Sequence, residues 1–242
     1  MSYKFLILLF LIIFGTHSCQ TEQNDEFLEN WIGSMLPLLK NQSLLDLRYP
    51  ATHDSLSYDL SKEISNGAWD SHPEISELLH ILSEYGITPN DWIRDQAITQ
   101  SLNITEQLNN GIRFIDFRIM WTDKGWYSIH FMRSNQKSIE YMRYIKDWLI
   151  EHPNEIIIIE LTRHGEECVS EQEQYPGVSN KEKLLFWNSV KDLFGNMIVD
   201  FKDTLLNETI LSTLIENNKR VIFIVADYKN FTNSDTKALD TC

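Results

Sequence analysis

The chain has 242 residues, with 21 lysines and arginines against 35 aspartates and glutamates, a formal net charge of −14. A surface of that sign lacks the basic footprint of nucleic-acid binding and gains little from an anionic membrane. With 43% hydrophobic and 12% aromatic residues, the chain is globular and not disordered.

Lys4, the apolar run Phe5 to Phe14 and the small residues up to Ser18 read as a secretory signal peptide over residues 1–18. That run is too short to span a bilayer, which takes about 20 residues, and no later segment is apolar enough. The mature protein is therefore expected to be secreted, without a transmembrane segment. Sequons begin at Asn41, Asn103, Asn207 and Asn230 and are candidate glycosylation sites. Residues 27–242 suffice for one domain with one sizeable core. Cys168 and Cys242 are candidates to pair in an oxidising compartment, and no cysteine spacing resembles a zinc site.

The predicted elements follow in order. Asn30 to Pro37 reads as a short amphipathic helix, and Ser43 to Tyr49 as a strand cut by Pro50. Helices are expected over Ser71–Gly86 and Thr99–Asn110, the second capped by Gly111. Ile112 to Ile119 alternates apolar and charged residues as a strand does, which puts Asp116 and Arg118 on one face. A strand over Trp126–Phe131 and a helix over Ser138–Ile150 come next, before the aliphatic run Ile156 to Leu161, the pattern of a strand buried on both faces. A helix over Lys181–Phe194 and a strand over Val221–Ala226 complete the pattern. Alternating strands and helices predict an α/β fold with a mostly parallel sheet, a TIM-type (β/α) barrel. Such a barrel takes about 250 residues. Here the strands run out early, so either the barrel is irregular and open or it is C-terminally truncated.

Three polar sets fall near strand ends: His53-Asp54, Asp116-x-Arg118 and His130. Two histidines can serve as base and acid at neutral pH, and an arginine offers a rigid fork to phosphate oxygens. Each also has a structural reading. His53 can cap a loop, His130 can be a satisfied core residue, and Asp116 with Arg118 can be an ion pair on a strand face. Taken together, the set favours chemistry at the C-terminal ends of barrel strands.

The segment Tyr49-Pro50-Ala51-Thr52-His53-Asp54-Ser55 resembles the opening motif of the phosphatidylinositol-specific phospholipase C X domain. Asn30-Trp31-Ile32-Gly33-Ser34, Thr105 to Arg118, Tyr127 to His130 and His152 to Ile157 are similar to further blocks of that family. The resemblance implies a phosphoric diester hydrolase or lyase acting on a phosphoinositide-like or glycosylphosphatidylinositol-like lipid, with transient membrane-surface contact. It implies His53 as general base, His130 as general acid with Asp54 as its partner, Arg118 on the phosphoryl oxygens, and Asp116 orienting Arg118. Asp54 and Arg118 stand where calcium-dependent relatives carry metal ligands, so the resemblance is to the metal-independent branch, with no cofactor. Arg163 and His164 are substrate-binding candidates. Two departures stand out: Phe131 replaces the family's glycine after the third-block histidine, and no match is found for the late strand whose carboxylate pairs with the first histidine. The alternative is a truncated X domain that binds a phospholipid headgroup with weak turnover or none.

Overall fold

The computed structural model describes residues 26–64, 81–82, 84–87, 89–122, 124–162, 180–201, 206–225 and 239–240. The helices are α1 (Trp31–Leu39), α2 (Asn90–Ala97), α3 (Ile104–Asn109), α4 (Ser138–Glu151), α5 (Asn180–Phe194) and α6 (Leu211–Glu216). The strands are β1 (Ala51–Thr52), β2 (Leu60–Ile64), β3 (Phe114–Thr122), β4 (Gly125–His130), β5 (Met132–Lys137), β6 (Ile157–Thr162), β7 (Val221–Val225) and β8 (Leu239–Asp240).

The sheet has the order β2-β5-β4-β3-β6-β7-β8, with β1 also paired to β3. The expected mostly parallel sheet is half right. β1, β3, β6, β7 and β8 are parallel, but β4, β5 and β2 run antiparallel from β3 outward. The cause is local: β3 and β4 pair as a hairpin from Thr122 and Gly125, too short a connection for a parallel crossover. Among the described residues β2 and β8 stand at opposite ends and the sheet is not closed.

Ser43 to Tyr49 is not a strand. Ser43 N donates to Asp46 Oδ2 at 2.8 Å and Asp46 N to Ser43 O at 3.1 Å, which winds Leu44–Asp46 into a 3₁₀ turn. The helix expected from Thr99 starts later, because Asn103 and Glu106 form a capping box that fixes the start at Ile104. Gly111 ends it at φ +90°, where a side chain would be strained. The helix expected over Ser71–Gly86 lies mostly outside the described residues, as do the signal-peptide residues, Cys168 and Cys242.

The central strands are buried on both sides. Ile157 and Ile159 join Val221, Phe223 and Val225 in a large core with α3, α4 and α5. Ile156, Ile158 and Ile222 turn to a second core with Ile32, Leu44, Leu211 and Leu214. The second face changes character along the strands. It is apolar at their N-terminal ends, where α1 packs, and carries Asp116, Arg118 and Glu160 further along.

Arg113 and Glu155 lock the apolar end. Both side chains are fully buried, with Nε to Oε2 at 2.8 Å. The remaining guanidinium donors reach the carbonyls of Leu28, Glu29, Leu108 and Ile112. Trp31 and Trp148 lie over the guanidinium at 6.0 and 4.7 Å. Gly33 N donates to Glu155 Oε1 at 2.8 Å, and a Cβ on Gly33 would stand 2.8 Å from that of Asn154, so only glycine fits there.

Candidate active site

The site lies at a split in one edge of β3. β1 pairs with that edge at Phe114 and Ile115, and β4 takes it up from Ile119. Between them, among the described residues, Asp116 to Arg118 have no strand on that side. The turn after β1 fills the gap: Ser55 N donates to Asp116 O at 3.2 Å and Asp116 N to Ser55 Oγ at 3.0 Å. Asp54 N donates to Asp116 Oδ2 at 2.9 Å. Asp54 adopts φ +49°, which aspartate tolerates better than most residues. Buried Gln107 fastens the turn, donating to Ser55 O at 2.7 Å and accepting from Thr52 Oγ1 at 2.7 Å.

The five residues singled out by sequence converge here. Arg118 Nη1 meets Asp54 Oδ1, while its Nη2 lies 2.9 Å from Asp116 Oδ2 and its Nε 3.1 Å from Asp116 Oδ1. Asp116 thus braces Arg118 along the strand face. Asp54 Oδ2 stands 3.2 Å from His53 Nε2 and 3.2 Å from His130 Nε2, so one carboxylate oxygen bridges both histidines. His53 Nδ1 lies 3.3 Å from Asp116 Oδ2. Sequence reasoning gave Asp54 to His130 and found no carboxylate for His53; Asp54 and Asp116 both stand beside it.

The two rings differ in surroundings. The His130 side chain is 19% exposed, and its Nδ1 faces Ala97 O at 2.6 Å while Nε2 faces Asp54. Both partners are acceptors, so the ring with two N–H groups satisfies both. The His53 side chain is 76% exposed, and Arg118 Nη2 lies 3.3 Å from each of its nitrogens. Its Nε2 and Nδ1 also stand 3.2 and 3.3 Å from Asp54 Oδ2 and Asp116 Oδ2, so a donor and two acceptors surround the ring and either nitrogen can carry the hydrogen.

His53, Asp54 and Asp116 bring potential metal ligands within 4.8 Å of one another. The same carboxylate oxygens hold the Arg118 guanidinium. A divalent ion at that point would meet an arginine at contact distance, so the donor set does not fit one while Arg118 is in place.

Phe131 follows His130 at φ +57°, a conformation that costs a bulky residue about 1–3 kcal/mol and suits glycine. Packing offsets that strain. Phe131 sits with Leu60, Ala97, Met132 and Ile93, and its ring centroid is 5.4 Å from that of His130. It anchors α2, whose last residue, Ala97, presents its carbonyl to His130.

Glu160 had no sequence signal as a site residue. The β3–β6 register pairs it with Asp116 on the shared face. Burial first, and the Asp116 charge next, push its carboxyl above the usual range, partly countered by Arg118. Arg163 and His164 lie outside the described residues, as does Asn230. Asn41, Asn103 and Asn207 are exposed; Asn103 caps α3 through Oδ1, which leaves Nδ2, the glycan-bearing atom, outside that bond.

The sequence model of the PI-PLC X family (PI-PLC X 1) matches residues 93–241. The match takes in Asp116, Arg118 and His130, while His53 and Asp54 precede it. The human "PI-PLC X domain-containing protein 1" is 26% identical over 175 residues, 70% of this chain and 49% of that protein. The Danio rerio protein of the same name is 30% identical over 144 residues, 58% of this chain and 45% of that protein. The chain thus spans about half the length of the curated relatives it matches. A double mutant of the phosphatidylinositol-specific phospholipase C from S. aureus has a similar fold, with TM-score 0.56 and 17% identity, covering 90% of this chain and 60% of that one.

Proposed function

Given that the chain belongs to the PI-PLC X domain family, we propose that it is a phosphodiesterase that cleaves a phosphatidylinositol-type lipid through His53 and His130, without a metal ion. One observation carries this reading: two histidines share Asp54 Oδ2, one ring open to solvent beside Arg118 and the other largely buried with its Nδ1 on Ala97 O. That division suits a base and an acid.

In this reaction His53 removes the proton from the headgroup hydroxyl beside the phosphoester. The freed oxygen attacks phosphorus, and the bond from phosphorus to the glycerol oxygen breaks. His130 passes its Nε2 proton to that oxygen, so diacylglycerol leaves and a cyclic inositol phosphate remains. Arg118 faces the charge that gathers on the phosphoryl oxygens. Asp54 keeps a carboxylate against His130, and Asp116 braces both Arg118 and His53. An irregular barrel over residues 27–242 is part of this reading, supported by the fold likeness to the S. aureus enzyme. We also propose secretion after removal of residues 1–18, with glycans on Asn41, Asn103, Asn207 and Asn230, and transient contact with a lipid surface.

The test is ³¹P NMR of phosphatidylinositol vesicles incubated with the full chain in excess chelator. The expected product is a cyclic phosphate, lost in both His53→Ala and His130→Ala. Turnover that stops in chelator and returns with calcium would overturn the metal-free mechanism. Vesicle binding with no cyclic product would support a headgroup-binding protein instead.

A further inference from the structure

Both histidines are tied to one short stretch of chain. α2 ends at buried Ala97, whose carbonyl oxygen takes the His130 Nδ1 hydrogen at 2.6 Å. Three residues on, Gln100 Nε2 donates to the backbone oxygen of His53 at 2.6 Å. Between them Thr99 binds the turn that carries His53: its N donates to Ser57 Oγ at 3.2 Å, and the two hydroxyls lie 2.5 Å apart. The strap is anchored at its start, because Ile93 and Ala97 pack with Leu60, Phe131 and Met132.

We propose that the strap Ala97–Gln100 is a positioning element that sets the two histidines relative to each other, with Gln100 as its working side chain. The proposal rests on the reading of His53 and His130 as base and acid. The His53 ring is mostly exposed and is met by the polar groups of Asp54, Asp116 and Arg118. Its placement depends on its backbone as well as on those partners, and Gln100 holds the backbone carbonyl of that residue. His130 is aimed from the other end of the same strap. A displacement of about 1 Å at a reacting group can lower the rate by about 100-fold, so a link between the base and the acid has direct kinetic weight. The Gln100 hydrogen bond goes to the His53 backbone and not to its ring. It acts through His53.

Glutamate at this position keeps the shape of glutamine but cannot donate when ionised. When protonated, its O–H can donate to the His53 carbonyl again. A merely structural role would not show that titration.

The test uses the full chain as wild type, Gln100→Ala and Gln100→Glu. The first measurement is ¹⁵N NMR of the histidine side chains without substrate. Both variants are expected to shift or broaden the His53 and His130 signals while melting within about 2 °C of wild type, no more than a loss of about 1 kcal/mol gives in a chain of this size. The second is turnover of phosphatidylinositol vesicles. Gln100→Ala is expected to lower kcat about 10-fold to 100-fold at unchanged KM. The ratio of Gln100→Glu to wild-type kcat is expected to rise as pH falls through the carboxyl range near about 4.3. Unchanged histidine signals in both variants, or a kcat ratio for Gln100→Glu near one at every pH, would overturn the proposal. If wild type cleaves nothing while the signals still move together, the strap stands and the reaction reading alone fails.

Discussion

Arg113 and Arg118 belong to the same stretch of chain, one just before β3 and one within it, and both pair with carboxylates. Their surroundings differ. Arg113 spends its donors on Glu155 and four carbonyls and is sealed by tryptophan rings. Burial lowers its affinity for a proton and raises that of Glu155, and each charge is sustained mainly by the other. Arg118 is 20% exposed, stands at a break in the strand edge and faces a solvent-exposed histidine. The same ion pair joins the fold together where protein consumes every donor, and becomes available for chemistry where the chain leaves one side open.

That contrast can be broken by substitution. The largest effect is expected at the sealed end, where Glu155→Ala strands the Arg113 charge and should cost about 3–5 kcal/mol in urea denaturation. A loss within about 1 kcal/mol would mean that the pair does not hold that end together. At the open end Arg118→Lys keeps the charge but loses the fork. A fall in kcat of about 100-fold to 1000-fold is expected, with a stability loss of about 1 kcal/mol, well below that at the sealed end. A large stability loss with normal turnover would reverse the two roles.

Gly33→Ala sharpens the picture of the sealed end, since the new methyl must displace Asn154. Equilibrium unfolding should show a loss of about 1–3 kcal/mol, with kcat unaffected. The smallest effect belongs to Glu160→Gln. The Glu160 carboxyl is raised in the folded state, so its contribution is full below its ordinary value of 4.5 and lost as pH rises through the folded value. The glutamine variant should therefore melt slightly higher at neutral pH, with the difference vanishing in acid. A difference that grows in acid would have the wrong sign for this environment.

Much of the scaffold was legible. The helix expected over Ser138–Ile150 spans Ser138–Glu151, and the strand expected over Ile156–Leu161 spans Ile157–Thr162. Both are long patterns with clear periodicity. β5, with the sequence MRSNQK, and the short α2, with an exposed Trp92, carry no such pattern. They form because neighbours pair with or pack against them. The direction of β4 was missed for the same reason: alternation marks a strand and leaves open which way its partner runs.

At the site, the sequence by itself determined which residue types are available. It also determined that Asp116 and Arg118 share a face, because a strand repeats every two residues. It marked His53 and His130 through their resemblance to family blocks. Tertiary structure alone decided that Asp54 bridges the two histidines, that Asp116 reaches His53, and that Gln100 and Ala97 tie both to one strap. These are contacts between segments far apart in the chain. They follow from the split edge of β3, which strand pairing creates and no local periodicity encodes.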